Sequence, residues 1–425
     1  MFIIQNSLLK ISGEIIKKIL HSLLPGIFLL GFNIGTGSVT AMAKAGADYG
    51  MSLLWTIFLS CLITFFLIHI YGKYTIVTGE TALEAFKKHI HPAIGIFFIV
   101  ALGTNVCGSV MGVMGIISEV CYEWSKLFIT GGIQPIYFAL FFVLLVYLLF
   151  LVGRTKFFEK ALAVIVAVMA FCFIINFFIL IPPVHDILKG LIPSVPSTGS
   201  GSAAFLVIAS MVGTTVFSGL FIIRTTLVKE AGWSMKDFKA QRNDALFSAF
   251  MMFIISASVM ASAAGSLFLK GIGLEKVSEM INLLEPLAGS LAVFIFVTGL
   301  IAAGVSSQFP NVLLVPWLLC DYNQSARDMK KLKYRVFVFL ISILGLVVPI
   351  FHARPIIVMI ASQAFGALIL PFTVACIIYL GNKKSILGSF KFTLPTNISL
   401  IMIFIFSIIM SYMGFEGLFS TLKSI

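Results

Sequence analysis

The sequence predicts an all-α polytopic membrane protein with eleven transmembrane helices, and three observations lead there. Hydrophobic residues fill 60% of the 425 positions and charged residues only 11%, whereas a water-soluble chain of this length needs a charged exterior. Phenylalanine alone supplies 42 residues, which suits side chains facing lipid. The Lys and Arg residues behind the net charge of +12 lie in short connectors between apolar runs. That is the pattern of cytoplasmic membrane loops, not of a nucleic-acid surface.

The elements follow in order, since a span needs roughly 20 apolar residues to cross about 30 Å of hydrocarbon. Residues 1–22 carry Lys10, Glu14, Lys17 and Lys18 among Leu and Ile and lack a small-residue cleavage site. They read as an amphipathic cytosolic helix on the membrane or as a loosely ordered tail, not as a signal peptide. Apolar runs at 23–44, 51–71, 93–118, 135–153 and 161–182 make the first five spans. Residues 183–202 are then an extracellular loop, and runs at 203–228, 245–269, 286–306, 336–352 and 356–380 make the second five. A cytosolic connector and an eleventh span, 394–414, complete residues 381–425. With a cytosolic N-terminus, most basic residues fall inside, in connectors holding Lys87 and Lys88, Arg154 and Lys156, Arg224 and Lys229, Arg327 and Lys330, and Lys383 and Lys384. The C-terminus is then extracellular or periplasmic. The six cysteines (61, 107, 121, 172, 320 and 376) contain no CxxC pair, so neither a disulfide framework nor a zinc site is indicated.

Two spans are interrupted by small and polar residues. The first carries Gly35-Thr36-Gly37-Ser38, and the sixth carries "MVGTTVFSGLF" from Met211 to Phe221. Gly31 and Gly35 form a GxxxG, which alone means close helix packing. Five spans separate the two breaks, however, so they hold matching positions in two five-helix halves. Paired breaks of this kind mark a transporter of inverted repeats with its substrate at the bilayer midplane, because unwound backbone is tolerated there only where it lines a cavity.

The stretch "LLPGIFLLGFNIGTGSVTAMAKAGADYGMSLLW" (Leu23–Trp55) resembles the first two helices of the NRAMP metal-ion transporters. "GLIPSVPS" before span six, "GLIAAGVSSQ" in span eight and "IASQAFGALILPF" in span ten extend the likeness over nearly all spans. The resemblance implies a LeuT-like 5+5 inverted repeat with helices one and six broken, and a divalent metal cation as substrate. It also implies that the usual ligands are replaced. Gly35, Thr36 and Ser38 stand for the Asp, Pro and Asn of the first-span motif. Phe217-Ser218-Gly219 stand for Met-Pro-His, Arg224 for a second His, and Asn105 and Gly108 for carboxylates of the third span. Gln363 alone survives among the direct ligands.

None of the 17 acidic residues lies near the middle of a predicted span; Glu119, Asp244 and Glu285 come closest, each near an end. Without a buried carboxylate, a dehydrated Mn²⁺ or Fe²⁺ is costly to hold, whereas a cation keeping most of its water, or magnesium in a larger cavity, is not. The same Gly-x-Gly break also fits an amino acid or other small carboxylate, held by exposed N–H groups, with sodium as a candidate coupling ion. A third reading is a receptor or sensor that keeps the fold without transport. The expected substrate-binding residues are Gly35, Thr36, Gly37, Ser38, Thr214, Thr215, Phe217, Ser218, Gly219 and Gln363. Phe217 reads either as an aromatic lid or as ordinary packing. Ser306 and Ser307 are candidates for a coupling ion, or else simply bond their own helix carbonyls. No P-loop GxxxxGK[ST], nucleophile motif or catalytic carboxylate pair occurs, so neither an enzyme nor a cofactor is expected. The expected partners are a small solute or cation and the lipid bilayer of a plasma membrane, with no nucleic acid.

Overall fold

The computed structural model describes residues 35–153, 156–180, 182–196, 201–284 and 290–423. Its principal helices are α1 (Thr36–Tyr49), α2 (Leu54–Thr78), α3 (Pro92–Ser125), α4 (Pro135–Val152), α5 (Lys156–Ile179), α6 (Gly201–Thr215), α7 (Ser218–Glu230), α8 (Phe238–Ser266), α9 (Ser290–Tyr322), α10 (Leu332–Ile343), α11 (Pro355–Asn382) and α12 (Leu394–Lys423). No strand occurs among the described residues. Among these residues nine helices are long and apolar enough to cross a membrane. The sharply bent pair Val164–Ile179 and Val184–Gly190, counted as one span, brings the number to ten. The predicted segment 1–22 and the first half of the predicted first span lie outside the described residues.

Helix ends follow local chemistry. Pro92, Pro135 and Pro355 open α3, α4 and α11, where a missing N–H costs nothing and the fixed φ suits the first turn. Gly79 and Gly153 close α2 and α4 at φ 72° and 65°, a left-handed geometry that is costly for residues with a Cβ.

Several helices outrun the apolar windows that predicted them. The clearest correction is the eighth span, predicted to end at residue 306; α9 runs on to Tyr322 with Pro310 and Pro316 inside it. Neighbouring helices and local adjustment re-satisfy the backbone groups a proline frees, so a membrane helix passes through it. The predicted 336–352 run also starts earlier and changes character: α10 gives way to a 3₁₀ turn at Leu344–Leu346 and a short helix, Val347–Phe351.

The helices sort into groups. α1 and α2 pack on α8, α2 also on α6 and α7, while α9 packs on α3 and α5, and α10 on α4 and α9. α11 lies against α3, α6 and α12. The half-helix α7 is fastened at its far end. Thr226 Oγ1 donates to Asp321 Oδ2 of α9 at 2.6 Å, Lys229 Nζ lies 2.9 Å from Glu84, and Arg327 Nη1 lies 2.9 Å from Glu230.

Arg224, which the charge pattern places among the basic connector residues, is instead fully buried. Its Nη1 lies 2.6 Å from Oδ2 of Asp244, which sits near the start of α8 as expected but is likewise fully buried. Low dielectric makes a lone charge there very costly, so the two are mutually dependent.

The connector between α2 and α3 is organised around Glu80. Its carboxylate lies 2.6 Å from Lys88 Nζ and 2.8 Å from His89 Nε2 and accepts from Tyr74 OH. Partial burial pushes its pKa up, but the hydrogen bonds and charges of Lys88 and His89 outweigh this and hold it below the ordinary carboxylate value. A depressed carboxylate stabilises the fold above its unfolded pKa, and that contribution is lost as pH falls through the folded value. The melting midpoint is therefore expected to fall on acidification below the usual carboxylate range, less steeply in Glu80→Gln. Identical acid limbs in melting curves of the two proteins would count against this tie.

Candidate functional site

The membrane interior does not readily accept a helix that stops. α6 ends at Thr215 and α7 begins at Ser218, with Phe217 in extended geometry (φ −71°, ψ 119°) as its cap. α1 likewise starts at Thr36, capped by Gly35 at φ −104° and ψ −173°. These ends meet around a cavity of about 40 Å³, enough for a small ion and a few waters.

Three further helices complete the walls. Gly35, Gly37 and Ser38 come from α1, Thr214 and Phe217 from the α6–α7 break, and Gln363 from α11. Asn105 and Ser109, with Val106 and Val113, come from α3, and Ser307 and Asn311 from α9. The glycines allow the close approach. A Cβ on Gly35 would lie 2.9 Å from Ser307 Cβ, and one on Gly37 would lie 2.6 Å from Gln363 Nε2; such separations are shorter than packed atoms tolerate.

Seven of the predicted site residues thus line one cavity: Gly35, Gly37, Ser38, Thr214, Phe217, Ser307 and Gln363. The other five are placed beside it and brace its frame. Thr36 Oγ1 donates to the Leu300 carbonyl of α9 at 3.4 Å. Thr215 Oγ1 donates to the Met211 carbonyl, while its own carbonyl accepts from Thr64 Oγ1 of α2 at 2.9 Å. Ser218 Oγ accepts from Thr373 Oγ1 at 2.8 Å, and Gly219 packs under the Phe217 ring. Ser306 Oγ donates to the Ala303 carbonyl and Ser307 Oγ to the Gly304 carbonyl of the same helix, and of the two Ser307 also lines the cavity.

Ser109 and Asn311 were not singled out in the sequence. Asn311 lay beyond the predicted end of span eight, and Ser109 looked like any small residue of a membrane helix. A period of four on α3 (Asn105, Ser109) and α9 (Ser307, Asn311) was the available signal, since residues four apart share one helix face.

The wall is polar yet uncharged. Its hydrogen-bonding side chains are amides and hydroxyls, and no Asp, Glu, His, Lys or Arg lines it. Among the described residues no group of three or more His, Cys, Asp or Glu could hold a metal ion. Any bound ion would meet oxygen dipoles and the helix ends rather than a counter-charge.

Comparison with known proteins agrees with this frame. A divalent metal cation transporter MntH of Acidiphilium cryptum is 24% identical over 370 residues, covering 83% of this chain and 80% of that protein. The crystal structure of the Eremococcus coleocola manganese transporter, in complex with an aromatic bis-isothiourea substituted compound, superposes with a TM-score of 0.77. It has 19% identity and covers 95% of this chain and 87% of the other. An inward-facing conformation of Mhp1 gives a TM-score of 0.61 at 13% identity, over 95% and 91% of the two chains. The architecture is the LeuT-like fold of broken helices. A family model described as natural resistance-associated macrophage protein-like matches residues 27–415, and with nearly the whole length covered, the chain belongs to that family.

Proposed function

We propose that the protein is a secondary transporter carrying a divalent metal cation across the plasma membrane by alternating access. The observation that carries this is the cavity at the α6–α7 break, walled by oxygen-bearing side chains from α1, α3, α6, α9 and α11. Relatives named as divalent metal cation transporters and a structural neighbour named as a manganese transporter support the class of substrate. Gly35, Gly37, Ser38, Thr214, Phe217, Ser307 and Gln363 are the substrate-facing part of the site. Thr36, Thr215, Ser218, Gly219 and Ser306 hold the break in shape. The small-carboxylate reading is not favoured, since the relatives carry metals by name and the cavity is small for an amino acid.

In this mechanism α1, α2, α6–α7 and α8 rock against α3, α4, α9 and α10. The unwound residues at Val216 and Phe217 absorb the change of angle, and the ties from α7 to Asp321, Glu84 and Arg327 form and part on the side of the connectors. The N-terminus is cytoplasmic and the C-terminus lies on the opposite face. Purified protein in liposomes is expected to take up Mn²⁺ or Mg²⁺ above empty vesicles. Gly37→Val is expected to abolish that uptake, because its side chain would occupy the space of the Gln363 amide. No uptake of either ion by the wild-type protein would remove the transport reading in favour of a receptor that keeps only the fold.

A further inference from the structure

Each of the three amides of the cavity has a protein partner at its nitrogen. Asn105 Nδ2 donates to the Ser362 carbonyl at 2.6 Å, Gln363 Nε2 points to Met359 Sδ at 3.4 Å, and Asn311 Nδ2 donates to Ser109 Oγ at 3.3 Å. An amide group carries two donor hydrogens on nitrogen and two lone pairs on oxygen. When the nitrogen is engaged by the protein, the oxygen is left as the open end. A backbone carbonyl and a thioether only accept, which fixes the sense of the first two amides. The Asn105 contact is doubled, since Ser362 Oγ donates to the Asn105 carbonyl at 3.0 Å. All three residues are buried and all three line the same cavity.

We infer that Asn105, Asn311 and Gln363 form a neutral carbonyl cage that selects hard, oxygen-seeking divalent cations over soft ones and holds them with part of their water shell. This rests on the metal-carrier reading above. Three inward amide oxygens, with the hydroxyls of Ser38 and Thr214, are ligands suited to Mg²⁺, Ca²⁺ or Mn²⁺. No cysteine, methionine or histidine side chain lines the cavity, so a soft ion gains nothing there in exchange for its water. With no carboxylate to offset full dehydration, retained waters supply the remaining ligands. Asn311 is the most informative of the three. It belongs to α9, opposite the α6–α7 break, and is held through Ser109 of α3 without any part in helix capping.

The test is initial-rate uptake of Mg²⁺ and Mn²⁺ into proteoliposomes, with Cd²⁺ as competitor, for wild type, Asn311→Leu and Asn311→Asp. The wild-type protein is expected to take up the hard ions with at least tenfold weaker inhibition by Cd²⁺. Asn311→Leu should raise KM about tenfold with a smaller change in maximal rate, the loss of one ion–dipole contact. Asn311→Asp keeps the size of the side chain and should lower KM about tenfold, which guards against a folding defect in the leucine variant. Inhibition by Cd²⁺ as strong as by Mg²⁺, or an unchanged KM in both variants, would overturn the cage while leaving metal transport standing. Absence of all divalent uptake by the wild type would overturn the transport reading, and the cage with it.

Discussion

Asp244→Asn is expected to lower stability by about 3–5 kcal/mol, the range for stranding one member of a buried ion pair. The substitution keeps the shape of the side chain but removes the only ion-pair partner found for Arg224 among the described residues. A guanidinium cannot shed its proton to escape burial. Its remaining contacts are weak substitutes: the Gln241 carbonyl at 3.4 Å from Nη2 and the Trp233 ring at 5.2 Å from Cζ. Arg224→Met is expected to cost less, because a stranded carboxylate can take up a proton and become neutral. The double variant R224M/D244L removes both charges and should recover most of the loss. Melting midpoints in detergent order the three variants. A midpoint for D244N equal to that of wild type would show that the pair carries no net weight.

Gly213→Val is the second large effect. Gly213 lies two residues before the end of α6, where that helix crosses α11, and a Cβ there would overlap the carbonyl of Gln363. The obstacle is backbone, so no rotamer change relieves it. Overpacking typically costs about 1–3 kcal/mol, more where nothing yields. It would also push α11, and with it the Gln363 amide, away from the cavity. Even Ala is expected to destabilise at this position, although Ala is favoured over Gly in a helix by about 1 kcal/mol. Gly103→Ala on α3 is the control. Its Cβ would meet only Val315 Cγ2 at 3.2 Å, a side-chain methyl that can shift. Melting and uptake measured on both alanine variants should separate them; equal behaviour would argue against a rigid α6–α11 contact.

Much of the frame was legible because it depends on local composition. The break at Val216–Phe217 announced itself through Gly213, Thr214, Thr215 and Gly219 in an otherwise apolar run, and the structure places it one residue from the centre of that motif. At the other motif the described residues begin at Gly35, which caps α1. The boundaries of α9 were not legible. A proline and a polar cluster look like an ending to any reading of the chain alone, yet packing carries that helix sixteen residues further. Ser306 and Ser307 illustrate the same limit at the scale of one residue. Their types are identical and both hydroxyls bond carbonyls of their own helix, yet only Ser307 lines the cavity, because of how α9 is rotated in the bundle.

The sequence by itself determined that this chain lives in a membrane, that its sixth span is interrupted and to which family it belongs. Each of those rests on hydropathy or on a run of neighbouring residues, quantities that do not depend on distant partners. Only the tertiary structure decided that Arg224 pairs with Asp244, that five of the twelve predicted site residues brace the cavity instead of facing it, and that Asn311 faces it. It also set the direction of the amides: Asn105 and Ser362 lie 257 positions apart, and which end of an amide faces a cavity is fixed by the acceptor that holds the other end.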